Sequence, residues 1–241
     1  MQKSNSAEGG EIVAVLGMHR SGTSCLTGIL QEAGLYLGEV VTWAPHNLKG
    51  NRENISIREL NDQVLKVNNA DWDHPRIVSR WPDDLAVQRD RILDSFVSGN
   101  VQKWGFKDPR TTFTYPFWQQ AVPLRFIGTY RHPRLVAASL SARNGWKMER
   151  GLELWFDYNS TMLELWRQKN FPVIRFDQHP SKYISDVKTI LELLGLPPKG
   201  VRFFDSELVH QSIDELNLFA PLPDPIEQLW RNMLLHYSKT I

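Results

Sequence analysis

The stretch Ile12 to Ser24, IVAVLGMHRSGTS, decides the fold. Its first five residues form an uninterrupted apolar run rich in β-branched side chains, which is typical of a buried parallel strand. A glycine-containing polar loop follows, and the apolar periodicity from Cys25 to Ala33 then predicts a helix that stops at Gly34. The chain therefore begins with the order strand, glycine loop, helix.

Short apolar runs recur further along the chain and alternate with helical patterns. The strand-like runs are Lys103 to Lys107, Leu124 to Tyr130 and Pro172 to Phe176. Helical periodicity covers residues 54–67, 84–97, 134–143, 150–169 and 181–194. This alternation predicts an α/β fold in three layers, in which helices flank a mostly parallel central sheet.

Length and composition agree with one folded unit. The chain has 241 residues, of which 41% are hydrophobic and 23% charged, close to ordinary globular usage. Residues 1–10 are small and polar and predict a flexible tail, so that 11–241 form a single domain. The region 39–100 is too long for a simple crossover and predicts a helical insertion over the open end of the sheet, where it would form part of a substrate site.

Charge and cysteine content argue against several kinds of partner and against a disulfide within the chain. A formal net charge of +1 provides no general attraction for nucleic acid or an anionic membrane. One cysteine excludes an intramolecular disulfide, and no apolar stretch reaches the ~18 residues of a membrane span. These features predict a cytoplasmic protein without a nucleic-acid partner, and they leave the oligomeric state open.

The loop Gly17 to Ser24 predicts an anion site. GMHRSGTS matches both glycines and the final hydroxyl of the phosphate-loop pattern GxxxxGK[ST], but Thr23 stands in the lysine position. Backbone N–H groups of such a loop converge on one point, and the helix N-terminus adds a partial positive charge. The cationic residue of this loop is instead Arg20, which lies before the second glycine, Gly22.

This loop resembles the 5'-phosphosulfate loop of sulfotransferases that use 3'-phosphoadenosine 5'-phosphosulfate (PAPS), with Arg20-Ser21-Gly22-Thr23 in place of their K/R-S-G-T. A second segment, Tyr130 to Leu140 (YRHPRLVAASL), is similar to the family's 3'-phosphate signature R-x-P-x-x-V-x-x-S. The resemblance covers about residues 12–195 and implies the P-loop-like sulfotransferase architecture of bacterial and carbohydrate-type members. The donor-binding residues that it implies are His19, Arg20, Ser21, Gly22, Thr23, Ser24, Arg131 and Ser139.

The segment Gly105 to Thr111 (GFKDPRT) carries the third match. Family members often place a lysine here that faces the sulfuryl group, which corresponds to Lys107. The histidine that many cytosolic members have two residues later is Pro109 in this chain. The resemblance implies in-line transfer to the hydroxyl of a glycan or small metabolite, with no metal required. Arg20 and Lys107 would stabilise the developing charge, and the product would be adenosine 3',5'-bisphosphate.

The catalytic base has three candidates. Glu53 lies in the insertion at the start of a predicted helix, and carbohydrate-type members commonly use a glutamate, so Glu53 is favoured. His46 has a suitable ordinary pKa near 6.5. Asp108 follows Lys107 at the edge of the sheet, although the neighbouring ammonium group makes it a weak base.

Competing hypotheses remain open at this level. A small-molecule kinase with a degenerate loop would use Mg-ATP, and a nucleotide-binding module without a base would bind and not transfer. Cys25 at a helix N-terminus is a candidate nucleophile, and Asp71-Trp72-Asp73 is a candidate metal site.

Two further expectations concern groups of side chains. Five cations are expected at one sheet edge: Arg20, Lys107, Arg110, Arg131 and Arg134. Five tryptophans are candidates for an acceptor wall: Trp43, Trp72, Trp81, Trp146 and Trp155.

Overall fold

A computed structural model describes residues 12–97, 103–198, 202–205 and 220–240. Its strands are β1 (Ile12–Leu16), β2 (Gly105–Lys107), β3 (Leu124–Tyr130) and β4 (Val173–Arg175). They form one sheet in the order β2-β1-β3-β4, and every pairing is parallel. The predicted flexible tail, residues 1–10, lies outside the described residues.

Helices connect and cover the strands. In chain order they are α1 (Thr23–Glu32), α2 (Ile55–Val67), α3 (Asp83–Val97), α4 (Thr111–Gln119), α5 (Pro133–Asn144), α6 (Met148–Lys169), α7 (Pro180–Leu193) and α8 (Asp224–Thr240). Among the described residues, none of these helices is both long enough and apolar enough to cross a bilayer.

The two faces of β1 explain the three layers. Successive strand side chains point to opposite faces, and in β1 both sets are buried. Ile12, Ala14 and Leu16 pack into a core with α2 to α6 and α8. Val13 and Val15 pack into a second core with α1 and α7. The prediction of an α/β fold with a parallel sheet covered on both faces is therefore confirmed.

Helix α4 was not expected from the sequence. Its residues, TTFTYPFWQ, include β-branched and aromatic side chains and an internal proline, Pro116, all of which have low helix propensity. Phe113, Phe117 and Trp118 are buried in the larger core. Burial of these aromatic side chains outweighs local preference, so tertiary packing specifies this helix.

The insertion begins with an irregular hairpin before its two helices. Val41 and Glu53 pair through a backbone hydrogen bond of 3.1 Å, next to an antiparallel bridge between Val40 and Asn54. Asn54 then caps α2, since its side chain accepts from the Ile57 N–H at 3.2 Å. This cap fixes Glu53 immediately before the helix, where its side chain faces the end of β2.

Candidate functional site

A cleft of about 820 Å³ lies at the carboxyl ends of the strands. Parallel α/β sheets place ligands at this edge, because the loops that follow the strands meet there. The cleft is lined by the β1 loop, by segments that follow β2, β3 and β4, and by the insertion. Its charged lining residues in the described part of the chain are Arg20, Lys49, Glu53, Arg58, Asp62, Lys107, Arg110, Arg131, Arg143 and Asp205.

The β1 loop presents the N-terminus of α1 to this cleft. Gly22 is the N-cap residue, no side chain caps the helix, and the first turn contains no acidic residue. The hydroxyl of Thr129 donates to the Ser21 carbonyl at 3.0 Å and ties the loop to β3. The first-turn N–H groups, which α-helices leave without intrahelical partners, are therefore available to an anion.

Gly22 is required by the close approach of a neighbouring ring. Its φ of 85° lies in the left-handed region, and a Cβ atom there would be 2.3 Å from the Phe176 ring. Any larger residue would push the ring or the loop away. Phe176 follows β4 and also lines the cleft.

Arg20 connects three segments of the cleft. Its Nε donates to the Ser139 hydroxyl of α5 at 2.7 Å, and an Nη donates to the His46 carbonyl of the insertion at 2.9 Å. Burial, together with the guanidinium groups of Arg143 and Arg131, lowers the pKa of Arg20 to about 10. It stays charged at neutral pH and lies in an environment that favours a bound anion.

Arg131 follows β3 and is 7% exposed. Its guanidinium lies over Phe176, 5.6 Å from the ring centroid. Its carbonyl accepts from the indole N–H of Trp155 at 2.9 Å. Trp155 is fully buried, so the expectation that it forms part of an acceptor wall was wrong, and it instead fixes the backbone of Arg131.

Lys107 and Glu53 form a buried ion pair. The Lys107 ammonium donates to Oε1 of Glu53 at 2.7 Å, and the two residues are 2% and 6% exposed. They are 54 residues apart in the chain and come from β2 and the insertion. The Oε2 atom of Glu53 makes no hydrogen bond to the described residues, so it is open to a hydrogen-bond donor that enters the cleft.

The other two base candidates lie in different surroundings. Asp108 is fully buried and is not among the lining residues of the cleft. Its carboxylate accepts from Arg110 at 3.0 Å and from Asn61 at 3.2 Å, which indicates a structural role. His46 is exposed at the rim of the cleft and contributes its backbone carbonyl to Arg20.

His19 lies at the inner wall of the cleft. Its ring contacts Trp72 edge-on at 5.1 Å and Tyr158 at 5.9 Å. Burial and the positive charges of Arg110, Arg143, Lys107 and Arg20 hold its pKa well below 6.5. The imidazole is therefore neutral at neutral pH, and among the described residues nothing hydrogen-bonds to its buried Nε2.

The prediction that five cations gather at one edge of the sheet is correct for four of them. Arg20, Lys107, Arg110 and Arg131 line the cleft, but Arg134 does not. Its guanidinium donates to the carbonyls of Ala220 and Pro221, because it points along α5 toward the C-terminal segment. Sequence reasoning missed Arg143, which also lines the cleft. Its spacing of four residues from Ser139 places both on one face of α5.

The expected aromatic wall is smaller than the sequence suggested. Of the five candidate tryptophans, only Trp72 lines the cleft in the described part of the chain. Trp81 donates to the side chain of Gln120, and Trp43 is 62% exposed. Trp146 stacks on Trp72 from behind, with ring centroids 5.5 Å apart.

The structure bears differently on the two alternative chemistries, a metal site at Asp71-Trp72-Asp73 and a nucleophile at Cys25. The carboxylate of Asp71 accepts from the backbone N–H groups of Asp73 and His74 at 3.0 and 2.6 Å. The Asp71-Trp72-Asp73 triplet is thus part of a turn, and that turn also brings ligand atoms of Asp71, Asp73 and His74 within 4.8 Å of one another, which is close enough to hold a metal ion. Burial raises the pKa of Cys25 to about 12, so its thiol stays protonated and is a poor nucleophile.

Comparison with known proteins identifies the fold. No family model and no curated protein matches the chain. Among solved structures, the sulfotransferase domain of the Synechococcus PCC 7002 olefin synthase is 15% identical with a TM-score of 0.56, and the match covers 97% of this chain and 98% of that one. Sulfotransferase STF1 of Mycobacterium tuberculosis H37Rv is 13% identical with a TM-score of 0.47, over 92% and 76% of the two chains. The match to the olefin synthase domain shows that the chain has the sulfotransferase fold.

Proposed function

We propose that the protein is a sulfotransferase that moves the sulfuryl group of PAPS to an acceptor hydroxyl. The observation that carries this proposal is the cleft itself. It brings together an uncapped helix N-terminus, Arg20, Arg131, Lys107 and Glu53, from four separate segments of the chain. The shared fold supports the proposal and is independent of the loop chemistry.

The residues present fit such a donor. In the described part of the chain, seven cationic and three acidic side chains line the cleft, so its local charge is positive although the whole chain is nearly neutral. The α1 N-terminus and Arg20 would hold the 5'-phosphosulfate. Arg131 and Ser139 would hold the 3'-phosphate, for which a guanidinium fork and a hydroxyl are suitable partners. A cleft of about 820 Å³ lies within the range of small-molecule sites.

The proposed chemistry divides between two groups of side chains. The donor supplies a sulfuryl group whose bond to a 5'-phosphate oxygen breaks as a bond to the acceptor oxygen forms. Arg20, Lys107 and the N–H groups of residues 21–24 would stabilise the negative charge left on the phosphate oxygen. Glu53 would take the acceptor proton on Oε2, the oxygen that does not accept from Lys107.

The kinase hypothesis receives no specific support from the site. Thr23 occupies the position where a phosphate-loop lysine would reach β- and γ-phosphates, and it is 3% exposed. The cation at the loop is Arg20, on the opposite side of Gly22. This placement suits a donor that ends at a 5'-phosphosulfate better than one with a triphosphate.

Titration of adenosine 3',5'-bisphosphate into matched arginine variants tests the donor site. Arg131→Ala should weaken binding at least tenfold, because one charge-assisted contact contributes roughly 1.5–3 kcal/mol. Arg134→Ala is the control, since Arg134 lies three residues away and bonds only outside the cleft. Calorimetry should give it an affinity within twofold of the wild type. Equal weakening in both variants would refute the assignment of Arg131.

A further inference from the structure

Arg143 is a cation of the cleft to which the proposed donor site assigns no role. It lies in the last turn of α5, is half-buried and lines the cleft. Its Nε donates to the side chain of Asn144 at 2.9 Å, which leaves the two Nη groups to face the cleft. Arginine side chains are ordinarily exposed to solvent, so the partial burial of Arg143 requires an explanation.

A rigid aromatic support holds the guanidinium in place. Arg143 lies over the ring of Trp72, 5.5 Å from its centroid, and Trp146 stacks on the same ring with an interplanar angle of 10°. The Tyr158 hydroxyl donates to the Trp72 carbonyl at 2.8 Å, and His19 contacts the ring edge. Such a support reduces the entropy lost when the arginine binds a ligand.

Two neighbouring cations have ion-pair partners, whereas Arg143 has none among the described residues. Lys107 pairs with Glu53 at 2.7 Å, and Arg110 pairs with Asp62 at 2.5 Å and with Asp108 at 3.0 Å. Among the described residues, no carboxylate lies within ion-pair distance of Arg143. Burial lowers the pKa of Arg143, which means that its charge is held at a cost. A bound anion would offset that cost.

We infer that Arg143 binds an anionic group of the acceptor, so that the substrate is a hydroxyl compound carrying a carboxylate, phosphate or sulfate group. This inference rests on the proposed function. Arg143 and Glu53 line the same cleft, which supports the inference. The acceptor hydroxyl would then lie at Glu53 while its anionic group lies on Arg143. A guanidinium fork is complementary to each of the three anions.

The test uses inorganic phosphate as the anion probe on protein saturated with adenosine 3',5'-bisphosphate. Saturation fills the donor phosphate positions, and the indole N–H resonance of Trp72, identified with Trp72→Phe, reports on the Arg143 site. Phosphate should shift this resonance in the wild type, and Arg143→Gln should weaken the effect at least tenfold. Arg143→Lys should retain part of it, because the charge remains and the fork is lost.

Arg150→Gln is the matched control. Arg150 lies over Trp146, 5.8 Å from the ring centroid, but it does not line the cleft. It lies 3.7 Å from Glu153 and donates to the backbone carbonyl of Asp73, so its replacement also shows how far the Trp72 resonance responds to a change in the surrounding loop. This variant should bind phosphate as the wild type does. Phosphate binding that is unchanged in Arg143→Gln would overturn the inference. A tenfold loss of bisphosphate affinity in that variant would also overturn it, since Arg143 would then serve the donor. If the wild type does not bind the bisphosphate, the proposed function fails, and phosphate binding to the ligand-free protein still tests Arg143.

Discussion

At the scale of single residues, the Lys107–Glu53 pair is the centre of the proposed chemistry. Both side chains are almost fully buried, yet both line the cleft. Burying two charges is costly and is seldom the most stabilising choice for a protein interior. A pair that joins a strand end to an insertion and opens to a cleft is better explained by the reaction it would perform.

Replacement of the three candidate bases separates their roles. Glu53→Gln should lower turnover by about 10²–10⁴, because general-base catalysis contributes that much, and should leave bisphosphate affinity within twofold. His46→Gln should keep most of the turnover. Glu53→Gln and Asp108→Asn should both reduce the free energy of unfolding, by about 3–5 kcal/mol, since each breaks a buried ion pair. Asp108→Asn should nevertheless keep most of the turnover. Single-turnover rates with an acceptor that the wild type sulfates, together with urea denaturation, measure these effects. Wild-type turnover in Glu53→Gln would exclude it as the base.

At the scale of elements, the sequence predicts β1 and β3 at their observed bounds. Each is a short and mostly apolar segment, and most of its residues are buried in the folded protein. The predicted strand from Lys103 was two residues too long at its start, since β2 begins at Gly105. Helix α4 was missed because its local propensities oppose a helix. Its stability comes from contacts of Phe113, Phe117 and Trp118 with distant segments, which no short window of sequence contains.

The start of α5 gives an element-scale prediction about pH. His132 is the N-cap residue, and its Nδ1 accepts from the Arg134 N–H at 3.2 Å. Burial lowers its pKa from 6.5 to about 4. The unfolded chain therefore binds a proton that the folded protein resists, and the free energy of unfolding should fall as the pH drops from about 6.5 to about 4.

Between about pH 4 and 6.5, His132→Asn should reduce the slope of the unfolding free energy against pH by the contribution of about one bound proton. Asparagine keeps a cap acceptor and removes the titrating ring, so stability at pH 8 should change little. Urea denaturation at several pH values between 4 and 8 measures the slope. Identical slopes for the variant and the wild type would contradict a neutral, buried His132.

At the scale of the whole molecule, the sequence identifies the proposed donor half of the cleft better than the proposed acceptor half. The motifs around Arg20 and Arg131 are local, so a linear pattern can carry them. The support of Arg143 joins α5 to Trp72, which comes from the insertion and is fixed by Tyr158 of α6. That arrangement exists only after folding, so no local sequence pattern contains it. The same holds for the side chain of Arg134, which points away from the cleft and donates to the Pro221 carbonyl.

The proposed function requires that this cleft bind a 3'-phosphorylated adenine nucleotide without a metal. The direct measurement is thermal unfolding with adenosine 3',5'-bisphosphate in EDTA, compared with Mg-ATP at the same concentration. At 100 times its dissociation constant, the bisphosphate should stabilise the folded state by about 2.7 kcal/mol and raise Tm, whereas Mg-ATP should give a smaller shift. Stabilisation by Mg-ATP and none by the bisphosphate would contradict the proposed function.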